Sequence, residues 1–159
     1  MSLSHLDAAG RARMVDVGQK PVTPRRAVAE GAVRMSAEAY RLVAEHGVGK
    51  GDVLAVSEIA GAMGAKRAAD LIPLCHPIAL DHVAVEATLD DSLPGVRVRS
   101  SVAAVGRTGV EMEALTGAVV ACLTVYDMVK AADRAMEILD VRLVEKVGGT
   151  RGDWRRSDV

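Results

Sequence analysis

Phenylalanine is absent from this 159-residue chain, which has one Trp and two Tyr. A core must therefore be filled by Val, Ala, Leu, Ile and Met, and half of the residues are hydrophobic. An excess of charge is absent too: 20 basic and 21 acidic residues leave a net charge of −1. Near-neutrality argues against a nucleic-acid binder held by a broad phosphate-facing surface, though not against a local basic pocket. Cysteine is scarce. Cys75 and Cys122 lie far apart and form no Cys-x-x-Cys, so a disulfide framework is not expected and two free thiols in a reduced cytoplasmic setting are. Long apolar runs are missing as well. The longest uncharged run, ALTGAVVACLTVY over 114–126, falls short of the roughly 20 residues a membrane span needs. The opening MSLSHLDAAGRAR has no apolar core of a signal peptide. The expectation is one soluble domain, large enough for a real core, with no membrane partner.

What is present begins with a polar arm over residues 1–24, punctuated by Gly10, Gly18, Pro21 and Pro24. VAEGAVRM (28–35) predicts a strand. SAEAYRLVAEH (36–46) predicts a helix, with Ser36 as N-cap and Ala39, Leu42 and Val43 at helical spacing. GVGKGD (47–52) is a glycine-rich break. Residues 52–71 predict a second helix, whose AGAMGA centre suits close approach to another element. VAVEATL (83–89) and VRVRSSVAAV (96–105) alternate around the turn DDSLPG. They predict an antiparallel hairpin with Val83, Val85, Ala87, Leu89, Val96, Val98, Ser100, Val102 and Ala104 inward, and Arg97, Arg99 and Ser101 outward. A long helix is expected over 109–136, a strand over 138–147 and a flexible tail over 148–159. The order is that of an α+β, ferredoxin-like βαββαβ sandwich with a doubled first helix, an antiparallel sheet packed by helices. Between Ala114 and Tyr126 the long helix is uncharged on every face. One sheet covers only one of those faces, so a neighbouring helix or a second subunit must cover the other.

Several residues could carry chemistry, each with a plain structural reading beside it. In LIPLCHPIAL (71–80), Pro73 and Pro77 bracket Leu74, Cys75 and His76 and hold the backbone extended, as a rigid turn or a presented site. Neighbouring residues of an extended segment point apart, and no second Cys or His pair accompanies these, so zinc is not expected. Lys50 in GVGKGD suits phosphate, but the pattern is not a Walker A loop, and a helix–helix turn explains it as well. Glu111 and Glu113 fit the favourable start of a helix. Asp127 and Lys130, at i and i+3, make either a surface ion pair or, following a buried run, a buried pair of the kind acid–base sites use. Glu113 and Asp127 share a face to within about 40° but lie about 21 Å apart along a helix. A long ligand, two separate sites, or two antiparallel subunits pooling their helix ends would each be consistent with that. Lys146 before two glycines and Arg25 after a proline each read alone as a solvated charge.

Together MVDVGQK, KGDVLAVSEIAGAMGAKRAADLIPLCHPI, GRTGVEMEALTGAVVACLTVYDMVKA and VEKVGG resemble the cyclic pyranopterin monophosphate synthase (MoaC) family of molybdenum cofactor biosynthesis, from about residue 5 to 154. The resemblance implies a cytoplasmic lyase of ferredoxin-like fold. It would convert a 3′,8-cyclised dihydro-GTP, made by a radical-SAM GTP cyclase, into cyclic pyranopterin monophosphate and release pyrophosphate without a metal or cofactor. It implies a homo-hexamer, a trimer of dimers, with sites at a subunit interface. Matched by motif, Asp127, Lys130 and Lys50 would be the catalytic group. Leu74, Cys75, His76, Met112 and Glu113 would bind substrate, with Glu111 beside them and Lys146 and Arg25 facing phosphates. Lys130 and Lys50 would then act as general acid and base, with Asp127 holding Lys130. Cys75 would be a wall, not a nucleophile. A nucleotide- or pterin-binding module without catalysis, and a purely structural oligomer, are the rival readings.

Overall fold

In the computed structural model, residues 9–157 are described; the first eight residues of the expected arm, His5 among them, and the last two of the tail lie outside them. Strand β1 (Thr23–Arg34) is followed by helices α1 (Ala37–Ala44), α2 (Val53–Ala65) and α3 (Ala68–Leu71). The hairpin β2 (His82–Asp90) and β3 (Gly95–Gly106) leads to helix α4 (Glu111–Val129), then β4 (Glu137–Val147) and β5 (Trp154–Arg155). The five strands form one sheet in the order β2-β3-β1-β4-β5, and every pairing is antiparallel. The first four strands have the ferredoxin-like arrangement that the element order implied.

The hairpin obeys its alternation. Val83 faces Val102, Val85 faces Ser100 and Ala87 faces Val98, while Leu89, expected inward, sits opposite Val96 near the strand end and is exposed. That face continues onto β1 through Ala27, Ala29 and Val33, which are buried in the core beneath α4. The outward face carries charge, with Glu30 taking Arg142 at 2.7 Å and Arg99 at 3.9 Å.

Helix α2 supplies the second cover for α4. At Gly61 a Cβ would meet the Gly117 carbonyl at 2.9 Å and Ala121 at 3.1 Å, and at Gly64 one would meet Val120 at 2.7 Å. The small residues of AGAMGA therefore allow backbone-close packing that larger side chains would prevent. By length and composition α4 could cross a membrane, but ten of its 19 residues are buried, as in the core helix of a globular sheet protein. The face of α2 turned away from α4 is left apolar and exposed at Val56, Ile59 and Met63.

Several boundaries differ from those expected. Strand β1 starts at Thr23, so the end of the expected arm and Arg25 belong to the sheet. The helix expected over 52–71 breaks at Lys66 and Arg67, and Arg67 at φ −114° and ψ 13° leaves helical geometry before α3. The helix expected to reach residue 136 ends at Val129 with Lys130 as C-cap. Asp133 draws the chain away there, accepting from the Ser36 amide at 2.7 Å and the Ala135 amide at 2.8 Å. Side-chain bonds to backbone amides of this kind compete with helix continuation. The segment expected as a flexible tail carries β5, with Trp154 opposite Lys146 and Arg155 opposite Glu145 on β4.

Candidate functional site

The proline-bracketed LCH segment leaves α3 through Ile72, which is extended at φ −109° and ψ 107°, as expected of a residue before proline. It runs beside the N-terminal end of α4, and Leu74, Cys75 and His76 line one wall of a cavity of about 320 Å³. Glu111 and Met112, in the first turn of α4, line the next. Arg25 from β1 and Lys146 from β4 line the third. Seven of the expected binding residues thus converge. The eighth, Glu113, lies behind the wall, 3 % exposed, where its Oε1 accepts from the Cys75 thiol at 3.4 Å.

The electrostatics of this cavity are set by burial. Glu113 Oε2 has no hydrogen-bond partner among the described residues. Burial raises the Glu113 carboxyl above its ordinary value, and the Cys75 thiol donating to it lowers that value in part. Cys75 is pushed up to about 11, by burial first and then by the Glu113 charge. A thiol held there is neutral at pH 7 and a poor nucleophile, in line with its expected place as a wall. His76 Nε2 meets the Val15 carbonyl at 2.8 Å, which makes Nε2 the donor. That bond ties the LCH segment to the N-terminal arm.

Arg25 is the least ordinary group. It is 7 % exposed, its Nε donates to the Gly106 carbonyl at 3.2 Å, and it has no ion pair among the described residues. Its Nη1 lies where a Cβ on Gly149 would be, 2.0 Å from that position, so the glycine makes room for the guanidinium. A buried cation without a carboxylate is costly unless an anion arrives to meet it. Sequence reasoning missed three further cations that line the same cavity, Lys20, Arg107 and Arg151. Their signals were present in MVDVGQK, GRTG and the glycine-rich end, but nothing in the spacing brings these segments together.

The expected catalytic group lies elsewhere. At the C-terminal end of α4, Asp127 Oδ1 accepts from Lys130 at 2.6 Å, and Oδ2 accepts from Lys50 at 2.8 Å. Lys50 also donates to the Asp127 backbone carbonyl at 2.8 Å, so the KGD loop is folded onto the helix end. The i, i+3 pair is present as expected, and of its two readings the surface ion pair holds. Asp127 is 57 %, Lys130 52 % and Lys50 50 % exposed at the side chain. The reason is the early end of α4, which places Lys130 on the last helical turn where neither the sheet nor α2 covers it. Asp127 is held down at about 2, first by its hydrogen bond from Lys130 and then by that from Lys50. Asp127 therefore stays ionised between two ammonium groups at neutral pH.

The chain thus holds a cavity with an excess of positive charge at one end of α4 and a Lys–Asp–Lys group at the other. Fourteen residues of helix separate Glu113 from Asp127, about 21 Å. Within a single chain, the cavity and the lysines do not meet. Among the described residues no three His, Cys, Asp or Glu side chains converge as metal ligands.

Comparison with known proteins places this geometry in context. The family model described as the MoaC family matches residues 14–149. A cyclic pyranopterin monophosphate synthase of Brucella ovis is 58 % identical over 156 residues, which cover 98 % of this chain and 94 % of the relative. Proteins of the same name from Brucella abortus and Brucella suis match with the same identity and coverage.

Proposed function

The chain belongs to the MoaC family, and from that premise we propose that it converts 3′,8-cyclised dihydro-GTP to cyclic pyranopterin monophosphate at a site completed by two subunits. It is a pyrophosphate-releasing lyase of molybdenum cofactor biosynthesis. The observation that carries the binding assignment is Arg25: a buried guanidinium without an ion pair among the described residues, facing a cavity lined by four further cations and the carboxylate of Glu111. A triphosphate supplies the anion that such a site needs. Leu74, Cys75 and His76 would form the wall against the purine-derived rings, with Met112 and Glu113 supporting it.

The reaction opens the five-membered ring of the purine, builds a pyrazine ring and closes a cyclic phosphate. It needs repeated proton transfers, and Lys130 and Lys50 are suited to them as general acid and base, positioned by Asp127. In one chain these groups are hydrated. A second subunit that covered them would remove water and bring the lysines over a cavity. The exposed apolar stripe of Val56, Ile59 and Met63 on α2, with Leu123 of α4 also exposed, supports such association. A homo-hexamer of three dimers would follow, with residues 25–147 as the domain and the arm and tail closing the cavity rim. The cyclised substrate would come from a radical-SAM GTP cyclase in the cytoplasm.

The test is turnover of 3′,8-cyclo-dihydro-GTP, following pyrophosphate and pterin, for wild type and Lys130→Ala at matched folding. Turnover by wild type and binding without reaction by the variant are expected. Wild type that binds the compound and releases no pyrophosphate would replace the synthase with a nucleotide- or pterin-binding module.

A further inference from the structure

We infer that the N-terminal arm is a working part of the site: the main-chain carbonyl of Val15 holds the His76 ring in the tautomer protonated at Nε2, and so leaves Nδ1 as the acceptor for a hydroxyl or ring N–H of the substrate. The inference rests on the synthase reading above and adds a positioning element to it. His76 Nε2 lies 2.8 Å from the Val15 carbonyl oxygen, 61 positions away in sequence. A carbonyl oxygen only accepts, so the nitrogen facing it carries the proton. In a neutral imidazole the other nitrogen then has a free lone pair. Among the described residues no group bonds Nδ1, and His76 lines the cavity.

The main chain of His76 is fixed without the arm. Pro73 and Pro77 restrict it on both sides. The Cys75 amide donates to the Ile72 carbonyl at 3.0 Å, and the Cys75 thiol donates to Glu113 Oε1 at 3.4 Å. These contacts set where the ring stands but not which of its nitrogens is protonated. That choice falls to the arm, and the arm is shaped for it. Val15 and Val17 are half-buried and line the cavity, while Asp16 between them is exposed. Asp16 Oδ1 accepts from the Gly18 amide at 2.8 Å, and the Lys20 amide donates to the Val17 carbonyl at 3.0 Å. Both bonds close a turn directly after Val15.

A catalytic base works best when a third group orients it. Here the Val15 carbonyl is that third group. When an O–H or N–H bond of the substrate breaks, its electron pair stays on the substrate atom and the proton moves to Nδ1. The ring becomes an imidazolium whose Nε2–H still donates to Val15, now as a charge-assisted bond. The arm therefore holds the ring more tightly after the transfer than before it. The proton then passes to water and the neutral ring returns. A plain clip between the arm and the LCH segment would need only the Nε2–H, and that difference separates the two roles by experiment.

Solid-state nitrogen NMR of the full chain with isotope-labelled histidine, and turnover of 3′,8-cyclo-dihydro-GTP, test this together. The chain has four histidines, and the His76 signals are those lost in His76→Gln. In wild type, neutral His76 is expected as the Nε2–H form alone. His76→Gln keeps a donor at the Nε2 position. It should leave the Gly18 and Lys20 amides protected from hydrogen exchange, yet lower kcat at least about a hundredfold, the smaller end of a lost general base. Asp16 is a positioning residue outside the cavity. Asp16→Ala should bring the Nδ1–H form into view and lower kcat about fivefold, the worth of one ordinary hydrogen bond. Asp16→Asn, which keeps an acceptor, should restore both. An Nδ1–H or mixed tautomer in wild type overturns the inference. So does wild-type kcat in His76→Gln, or an Asp16→Ala variant that changes neither tautomer nor kcat. The tautomer is read on substrate-free protein and decides the arm's part by itself; absence of turnover in wild type would instead overturn the synthase reading.

Discussion

The two ends of helix α4 solve opposite problems. At its N-terminal end there is space, burial and an excess of positive charge, and the buried carboxyl and the thiol there are both shifted toward their neutral forms. At its C-terminal end there are two ammonium groups around an ionised carboxylate, fully paired and open to water. The first end can hold an anion but offers little for moving protons beyond His76. The second can move protons but has no enclosed place to hold a substrate. An exposed ion pair in water contributes little to stability. Proximity and desolvation are what convert such groups into catalysts. The lesson is that this chain carries an anion-suited cavity and a Lys–Asp–Lys group and keeps them a helix length apart.

The strongest way to break that contrast is to remove the proton-moving end alone. Lys130→Ala should lower kcat by about a thousandfold, within the range of a lost general acid or base, while substrate affinity by calorimetry falls far less. An equal collapse of affinity would make the C-terminal end a binding element instead. Next comes a mixing experiment. His76→Ala and Lys130→Ala, each inactive, should recover about a quarter of wild-type activity when unfolded and refolded together, since half of the dimers would hold one intact shared site. No recovery would mean that each chain supplies both ends of its own site.

A smaller effect sharpens the binding end. Arg25→Met should raise KM at least about tenfold, as loss of a buried charged contact does. The same change should stabilise the substrate-free protein by about 1 kcal/mol, because a buried cation without a counter-charge is removed. A fall in melting temperature together with unchanged KM would show Arg25 to be structural. The smallest effect concerns Glu113. Its folded pKa lies above the unbound value of 4.5, so the folded state holds the proton more tightly than the unfolded one. Stability therefore falls as pH rises from that value through the folded pKa, and the full penalty remains above it. Glu113→Gln should flatten this slope in thermal melts taken across pH 4 to 8, whereas an unchanged slope would assign it to other groups.

Much of the fold was legible because its causes are local. The alternation of β2 and β3 fixed their faces, and Ser36 caps α1 through a bond to the amide of Ala39. The end of α4 was not legible, since the carboxylate of Asp133 ends it by binding an amide of Ser36, 97 positions away in sequence. Nor was β5, whose two residues carry no strand pattern and exist through pairing with β4. In the site, the Asp127–Lys130 pair followed from helical spacing, but its exposure did not, because exposure depends on where sheet and neighbouring helix stop.

By itself the sequence determined the α+β order, the two faces of the hairpin, the all-apolar helix and the residue types of the site, because these follow from period, capping and side-chain chemistry within short windows. Only the tertiary structure decided that Lys50 reaches Asp127, that Arg25 is buried without an ion pair among the described residues, and that Lys20, Arg107 and Arg151 share a cavity with it. Burial and charge proximity are properties of segments brought together from distant parts of the chain, and no short window contains them.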